Sequence, residues 1–378
     1  MTESDIDAII AMLPHEEMPC TEYLFEKWKN TSPLCGNKIL FNCHLTVVTL
    51  TLVKLFITAG ADIIVTCTPG LVSQPLIKEA LEKSNLYLDV EDLLSEKYIH
   101  SFDVIIDCGA YLCNIMKPKI AFVELTHVDK SIYQDTICPV VSIDNSFIKY
   151  IETSIGTGDG FVRAIDEIYS QKGDNYQKKR YMIFGYGKVG EGISYCLKHS
   201  GIDQQQIHIV EINQTRLKLA KKNGYMCYDL FENQDYIKEI LLSNINCAVT
   251  ATGVSDALSE FFTFEDFKKV EYLANMGTYD EWGKNFSSHH ILNNKKPLNF
   301  ILEYPTKIRY LDPVFALLAA TTHYVIINTP PKQFSILSPN GKLQEELSTI
   351  WFQHFSHLSV CIAQKWITEK EFILCTTS

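Results

Sequence analysis

The sequence predicts an α/β protein made of two doubly wound domains, and three observations carry that prediction. Short apolar runs recur along the 378-residue chain with room for a helix or short crossover between them. The segment Met182-Ile-Phe-Gly-Tyr-Gly-Lys-Val-Gly-Glu-Gly-Ile193 reads as strand, glycine turn and helix. Two later apolar runs close on Thr252-Gly253 and on Asn275-Met-Gly277, small and polar residues suited to the carboxyl ends of strands, where open α/β sheets bind ligands.

Taken in order, Ile39-Leu-Phe41 and Ile63-Ile-Val65 are strands flanking an amphipathic helix pattern, a β-α-β unit. Val104-Ile-Ile106, Ile120-Ala-Phe-Val123 and Val140-Val-Ser-Ile143 add further parallel strands. A helix from Phe161 to about Gln171 leads through the polar linker Lys172-Gly-Asp-Asn-Tyr-Gln-Lys-Lys179 to the glycine motif. Ile207-His-Ile-Val210, Cys247-Ala-Val-Thr250 and Tyr272-Leu-Ala-Asn275 supply strands of the second sheet. Pro330-Pro331 precedes an amphipathic run from about Lys342 to Trp366, a terminal helix. The expected domains are 1–158, completed by 314–378, and 159–313.

Composition narrows the function classes. A formal net charge of −11 and a pI near 5.5 argue against sequence-independent nucleic-acid binding, and Lys218, Lys221 and Lys222 read as a solvated helix face. The start, Met1-Thr-Glu-Ser-Asp, is acidic where a secretory signal is basic. The most apolar stretch, His44 to Cys67, is interrupted by Lys54 and Asp62. A cytoplasmic protein without membrane contact is expected. Twelve cysteines without a Cys-x-x-Cys pair read as reduced thiols, and the pairs His289/His290 and His354/His357 lack a third ligand, so no metal is expected.

The glycine segment proposes a dinucleotide. Gly185 permits the tight turn, Gly187 lets backbone N–H groups approach a pyrophosphate, Lys188 and Val189 open the helix, and Gly190 lets that helix pack on its strand. Glu211, at the end of the next strand, accepts both ribose hydroxyls and repels a 2′-phosphate, which favours NAD over NADP. Thr252, Gly253, Asn275 and Gly277 fall where the same cofactor is expected, so 159–313 is expected to be a Rossmann NAD-binding domain and 1–158 with 314–378 a substrate domain.

A series of ordered motifs carries a resemblance. They are Phe41-Asn-Cys-His-Leu-Thr46, Ile105-Ile-Asp-Cys-Gly-Ala-Tyr-Leu112, Asp144-Asn-Ser-Phe-Ile-Lys149 with Gly156-Thr-Gly158, and Gly185-Tyr-Gly-Lys-Val-Gly-Glu-Gly192. Val210-Glu-Ile212, Thr250-Ala-Thr-Gly253 and Asn275-Met-Gly-Thr-Tyr-Asp280 follow. From about Gly36 to His323 the chain resembles the S-adenosylhomocysteine hydrolase family. The resemblance implies a bound NAD that oxidises a ribose 3′-hydroxyl, loss of the 5′ thiol, addition of water and return of the hydride. It places His44 near the 5′ position, Glu124 at the sugar and Lys149 beside the 3′-hydroxyl as a base. Glu152 stands in for the family's aspartate.

Departures from the family are equally specific. Cys108 replaces an aspartate assigned to proton transfer, Thr278 replaces a histidine, and Asp312-Pro313 in a shortened loop replaces Gly-His-Pro. Thr153 stands for an asparagine, and Val48, two residues beyond Thr46, for the adenine-facing glutamine. Thr46, Thr278 and Asp312 are then the expected substrate contacts, around a nucleoside-like molecule whose base the altered pocket leaves open. The chain ends Glu371-Phe-Ile-Leu-Cys-Thr-Thr-Ser378 instead of in the family's Lys-Pro and Tyr-rich tail, so exchangeable NAD is expected, and a homodimer through the NAD domain is expected without help from such a tail. The expected activity is NAD-dependent oxidation of a nucleoside or similar polyol, with elimination, epimerisation or hydrolysis as further steps. The alternative is a catalytically silent NAD-binding paralogue that serves as a regulatory or interaction module.

Overall fold

A computed structural model describes residues 3–126 and 129–356. Its strands are β1 (Lys38–Asn42), β2 (Asp62–Thr66), β3 (Val104–Asp107), β4 (Ala121–Glu124), β5 (Pro139–Ser142), β6 (Tyr181–Phe184), β7 (Ile207–Glu211), β8 (Met226–Asp229), β9 (Cys247–Thr250), β10 (Tyr272–Asn275) and β11 (Ser335–Leu337). They form a six-stranded sheet, β11-β5-β4-β3-β1-β2, and a five-stranded sheet, β10-β9-β6-β7-β8. Every pairing is parallel. Continuous apolar strands such as Tyr181–Phe184 and Val104–Asp107, buried at every position, are what a parallel sheet covered on both faces requires. The protein is therefore an α/β protein with two doubly wound sheets.

In the first sheet the chain lays down β1 and β2 and then returns to place β3 on the other side of β1. The second sheet repeats the manoeuvre: β6, β7 and β8 run one way and β9 returns to the other flank of β6. Each reversal opens a crevice beyond the carboxyl ends of the two strands that flank it, the place where open α/β sheets bind ligands. In the second sheet the pleat sends Ile183 and Val249 into one core and Met182, Phe184 and Ala248 into the other.

Two compact units contain these sheets, Met1–Lys149 with Leu311–Ser378, and Tyr150–Tyr310. The division falls earlier than the sequence suggests, because a continuous helical run, Phe147–Tyr150, a π-helical Ile151–Gly156 and then Thr157–Gln171, crosses it. Within the second unit a methyl group on Gly158 would overlap the backbone of Gly192, and one on Gly192 would overlap Ser154. Phe161, Ala164, Ile165 and Tyr169 of the same helix are core residues of that unit. The polar stretch 172–179 is therefore not an interdomain linker; it joins this helix to β6 inside the second unit.

The helix Ile308–Ile327 has the length and hydropathy of a membrane span, a stretch the sequence reading passed over, but two-thirds of its apolar window (67%) is buried, as in a core helix. Asp312-Pro313 sits within its early turns and not in a shortened loop. Pro313 is the sixth residue of the helix and has no N–H to donate four residues back, so one helical hydrogen bond is missing there. The terminal helix spans Gly341–His354, and residues 357–366 of the expected run to Trp366 lie outside the described residues.

Candidate functional site

In the second unit the crevice lies between β6 and β9. Gly185 follows β6 with φ +98°, in the left-handed region, and a side chain there would overlap the Ala251 carbonyl. Lys188 begins a twelve-residue helix directly after Gly187, so the first N–H groups of that helix, those of Lys188, Val189 and Gly190, have no intrahelical acceptor. A methyl group on Gly187 would meet only Arg216 Nη1, at 3.6 Å, so the backbone here is open to a ligand. At Gly190 a methyl group would overlap the Gly185 carbonyl, which ties the helix start to the turn. These residues form a cradle with the shape and donors that a pyrophosphate needs. Arg216, five residues beyond Glu211, adds a cation beside this turn that the motif reading did not include.

Glu211 is buried at the end of β7, and its carboxylate is already engaged. Oε2 accepts from Tyr186 N–H at 2.6 Å, and Oε1 accepts from Ile212 and Asn213 N–H, both at 2.8 Å. A carboxylate offers about four acceptor positions, so one remains for a hydroxyl before a backbone donor must be released. The expectation that it takes both ribose hydroxyls is corrected accordingly.

Asn275 is a second correction. It is fully buried; its Oδ1 accepts from Thr250 Oγ1 and Gly277 N–H, and its Nδ2 donates to the carbonyls of Gly277, Tyr279 and Lys295. It braces the ends of β9 and β10 and has nothing left for a cofactor. Thr252 and Gly253 follow β9, and both N–H groups donate to Glu281, a residue the sequence did not single out, at 2.7 Å each. Of the expected substrate residues, this unit carries Glu152, whose carboxylate accepts from Thr153 Oγ1 at 3.2 Å, and Thr278, which is exposed.

The first unit gathers the remaining groups beyond β1, β2 and β3. His44 Nδ1 accepts from Val72 N–H at 2.9 Å, which leaves the proton on Nε2 as a donor. Partial desolvation, and then the charge of Lys149, hold its pKa below the usual imidazole value. His44 and Lys149 therefore share one neighbourhood, with Lys149 buried on the short helix Phe147–Tyr150. Thr46 occupies the N-cap position of the helix Val47–Thr58 without a side-chain bond to its N–H groups, and its hydroxyl pairs with Thr49 Oγ1 at 3.0 Å. Cys108 is buried at the end of β3, in line with Cys43 after β1 and Cys67 after β2. Burial, then the thiols of Cys108 and Cys67, push the Cys43 thiol well above its ordinary pKa.

Glu124 corrects the sequence reading most clearly. It is 0% exposed, and its two oxygens accept from Gly109 N–H, Ala110 N–H, Thr126 N–H, Thr126 Oγ1 and Tyr133 Oη. Gly109 and Ala110 have positive φ, +91° and +56°, which turns their N–H groups toward one anion. The residue holds a turn and does not face a sugar. Asp312 is likewise corrected: it is 2% exposed and accepts from Cys20 and Thr21 N–H, each at 2.8 Å, capping the helix Pro19–Trp28. Its pKa is pushed up to about 6 by burial, against the pull of those donors.

Asp107 stands opposite Glu124 in the β3–β4 ladder and accepts from Asn42 Nδ2, Cys108 N–H and Leu112 N–H at 2.7–2.9 Å. Burial, then the Glu124 charge, raise its pKa from 3.8 to about 7. The folded state therefore holds this proton more tightly than the unfolded chain. The resulting stability is fully present below pH 4 and is lost as pH rises through 7. Asp107→Asn is expected to remove that slope. Measured by urea unfolding, wild type should lose about 3 kcal/mol relative to the variant between pH 5 and pH 8. A constant difference across that range would contradict the assignment.

Among the described residues no group of three His, Cys, Asp or Glu side chains is arranged to hold a metal ion. No family model matches the chain. It is 23% identical over 320 residues to S-inosyl-L-homocysteine hydrolase of Methanocaldococcus jannaschii, covering 76% of this chain and 72% of that protein. It is 23% identical over 291 residues to adenosylhomocysteinase of Thermococcus kodakarensis, covering 70% and 65%. Over 298 residues it is 26% identical to S-inosyl-L-homocysteine hydrolase of Methanococcus maripaludis, covering 71% and 67%. The matched segments thus span roughly two-thirds of the curated relatives' length. Among solved structures, the A chain of dipicolinate synthase from Bacillus subtilis is similar at 14% identity and a TM-score of 0.47, covering 76% of this chain and 97% of that one.

Proposed function

We propose, for a chain that is a distant and divergent homologue of the adenosylhomocysteinases and S-inosyl-L-homocysteine hydrolases, that it oxidises a hydroxyl of a nucleoside or similar polyol with NAD. One observation carries this reading: Lys149 is kept buried and within electrostatic reach of His44, beside the carboxyl ends of the first sheet. A module without chemistry has little physical need for that pair. The glycine cradle at Gly185, Gly187 and Gly190, with Glu211, fits a dinucleotide, and NAD supplies the hydride acceptor when bound. In its uncharged form Lys149 takes the proton of the substrate hydroxyl, and His44 Nε2–H donates a hydrogen bond that orients the substrate. Elimination, epimerisation or hydrolysis after the oxidation belong to the same reading. A thiol at Cys108 replaces the carboxylate expected to move a proton there, which weakens those later steps more than the first.

Lys149→Ala is expected to lower the rate of NAD reduction by about a hundredfold or more while leaving NAD affinity within about twofold. The assay supplies NAD with adenosine, S-adenosylhomocysteine and S-inosylhomocysteine in turn. Equal rates in variant and wild type would remove Lys149 from the chemistry. The silent-module reading has its own support, because Glu124 and Asp312 are engaged in hydrogen bonds within the protein, Glu124 with backbone N–H groups and the Tyr133 hydroxyl and Asp312 with backbone N–H groups. It gains if NAD binds and none of these compounds is oxidised.

A further inference from the structure

We infer that Gly277 is a glycine because Glu281 needs the space, and that Glu281 is a positioning residue of the dinucleotide site, holding the Thr252–Gly253 turn against the glycine turn at Gly185. The inference rests on the dinucleotide reading above and deepens it. Topology sets the frame: β9 is the neighbour of β6 across the point where strand order reverses, so the turn after β9 forms one wall of the crevice. The two turns are in contact, since a side chain at Gly185 would overlap Ala251 and reach Thr252 Cα at 3.0 Å. The conformation of 252–253 therefore sets the shape of the cradle.

Glu281 fixes that conformation. Its Oε2 accepts from Thr252 N–H and its Oε1 from Gly253 N–H, both at 2.7 Å, and the residue is 0% exposed. The main chain of the same residue adds a hold, because the Glu281 carbonyl accepts from Leu258 N–H at 3.2 Å. Gly253 has φ +75°, a left-handed residue that presents its N–H beside that of Thr252. A pair of backbone donors clamped by one enclosed carboxylate has a single arrangement, which is what a cradle for a flexible ligand requires.

Gly277 supplies the room. Its φ lies outside the left-handed region, so backbone conformation does not demand glycine there. A methyl group would overlap Oε1, Cδ and Cγ of Glu281, all three nearest atoms belonging to that one side chain. An exposed glutamate would simply swing away. This one is enclosed and would have to release both N–H groups to do so. The sequence reading of Gly277 as a cofactor contact is thereby replaced: the missing side chain accommodates a carboxylate of the protein.

A double-mutant cycle tests both halves. NAD affinity, by calorimetry, and thermal unfolding are measured on full-length wild type, Gly277→Ala, Glu281→Ala and the double variant. Each single change is expected to weaken NAD binding by about tenfold, and the double variant is expected to bind no more weakly than Glu281→Ala. An additive double variant overturns the steric assignment, because the added methyl would then collide with something other than Glu281. Wild-type affinity in Glu281→Ala overturns the positioning role. Glu281→Gln keeps the shape and one acceptor oxygen, and is expected to lie between wild type and Glu281→Ala in affinity; it serves also if the alanine variant does not fold. Should wild type bind no NAD, the dinucleotide reading and the positioning role fall together. Non-additive melting temperatures would still decide whether Gly277 makes room for Glu281.

Discussion

Glu124→Ala lowers the unfolding free energy by about 3–5 kcal/mol, because the change leaves donors of Ala110, Thr126 and Tyr133 facing a void, while Gly109 N–H keeps Thr126 Oγ1 as an acceptor at 2.8 Å. Ala110 holds left-handed backbone, φ +56°, in part because an anion sits over its N–H group, and without it that residue relaxes toward ordinary φ. Tyr133, 0% exposed, loses its hydroxyl acceptor and carries the signal in near-ultraviolet circular dichroism. Glu124→Gln keeps the shape but turns an amide donor toward a donor, so it should lose a smaller amount, about 1–3 kcal/mol. Urea unfolding of the two variants checks this. A stable Glu124→Ala protein that has lost only substrate binding would restore the sugar-contact role that the family resemblance implies.

Gly190→Ala weakens NAD binding by about a hundredfold, near 2.7 kcal/mol. The added methyl meets the Gly185 carbonyl, which is backbone, so relief requires the helix Lys188–His199 to move off the turn. The N–H groups that would face the pyrophosphate move with it. Gly187→Ala separates packing from ligand contact. Its methyl meets only the Arg216 guanidinium, so unfolding stability should change little while NAD affinity still falls. Calorimetric titration beside denaturant unfolding distinguishes the two variants, and an unchanged affinity in Gly190→Ala would contradict the cradle.

The parallel strands were legible because burial on both faces makes each one an unbroken apolar run, and runs such as Tyr181–Phe184 and Cys247–Thr250 need no partner to be recognised. β8 and β11 escaped for the converse reason. Met226-Cys-Tyr-Asp229 is an edge strand whose first two residues are only half buried, and Ser335–Leu337 is three residues held from one side by β5. Site residues at strand ends could be located, but not whether their polar atoms were already used. Glu124 is consumed by a turn that depends on positive φ at Ala110, a conformation no residue pattern announces. Asp312 is consumed by N–H groups 291 and 292 residues away in the chain. The relation of Gly277 to Glu281 spans four residues, yet only the three-dimensional path of the loop shows that one fills the space left by the other.

NAD-dependent oxidation of a nucleoside-like hydroxyl is read out by the near-ultraviolet absorbance of reduced nicotinamide. Full-length protein loaded with NAD is mixed with adenosine, S-adenosylhomocysteine and S-inosylhomocysteine, with Lys149→Ala measured in parallel. The expected result is growth of the reduced-nicotinamide band with at least one compound and its loss in the variant, which still binds NAD. The contradicting result is a wild-type protein that binds both NAD and nucleoside yet develops no band with any of them; the chain would then be a dinucleotide-binding module without this chemistry.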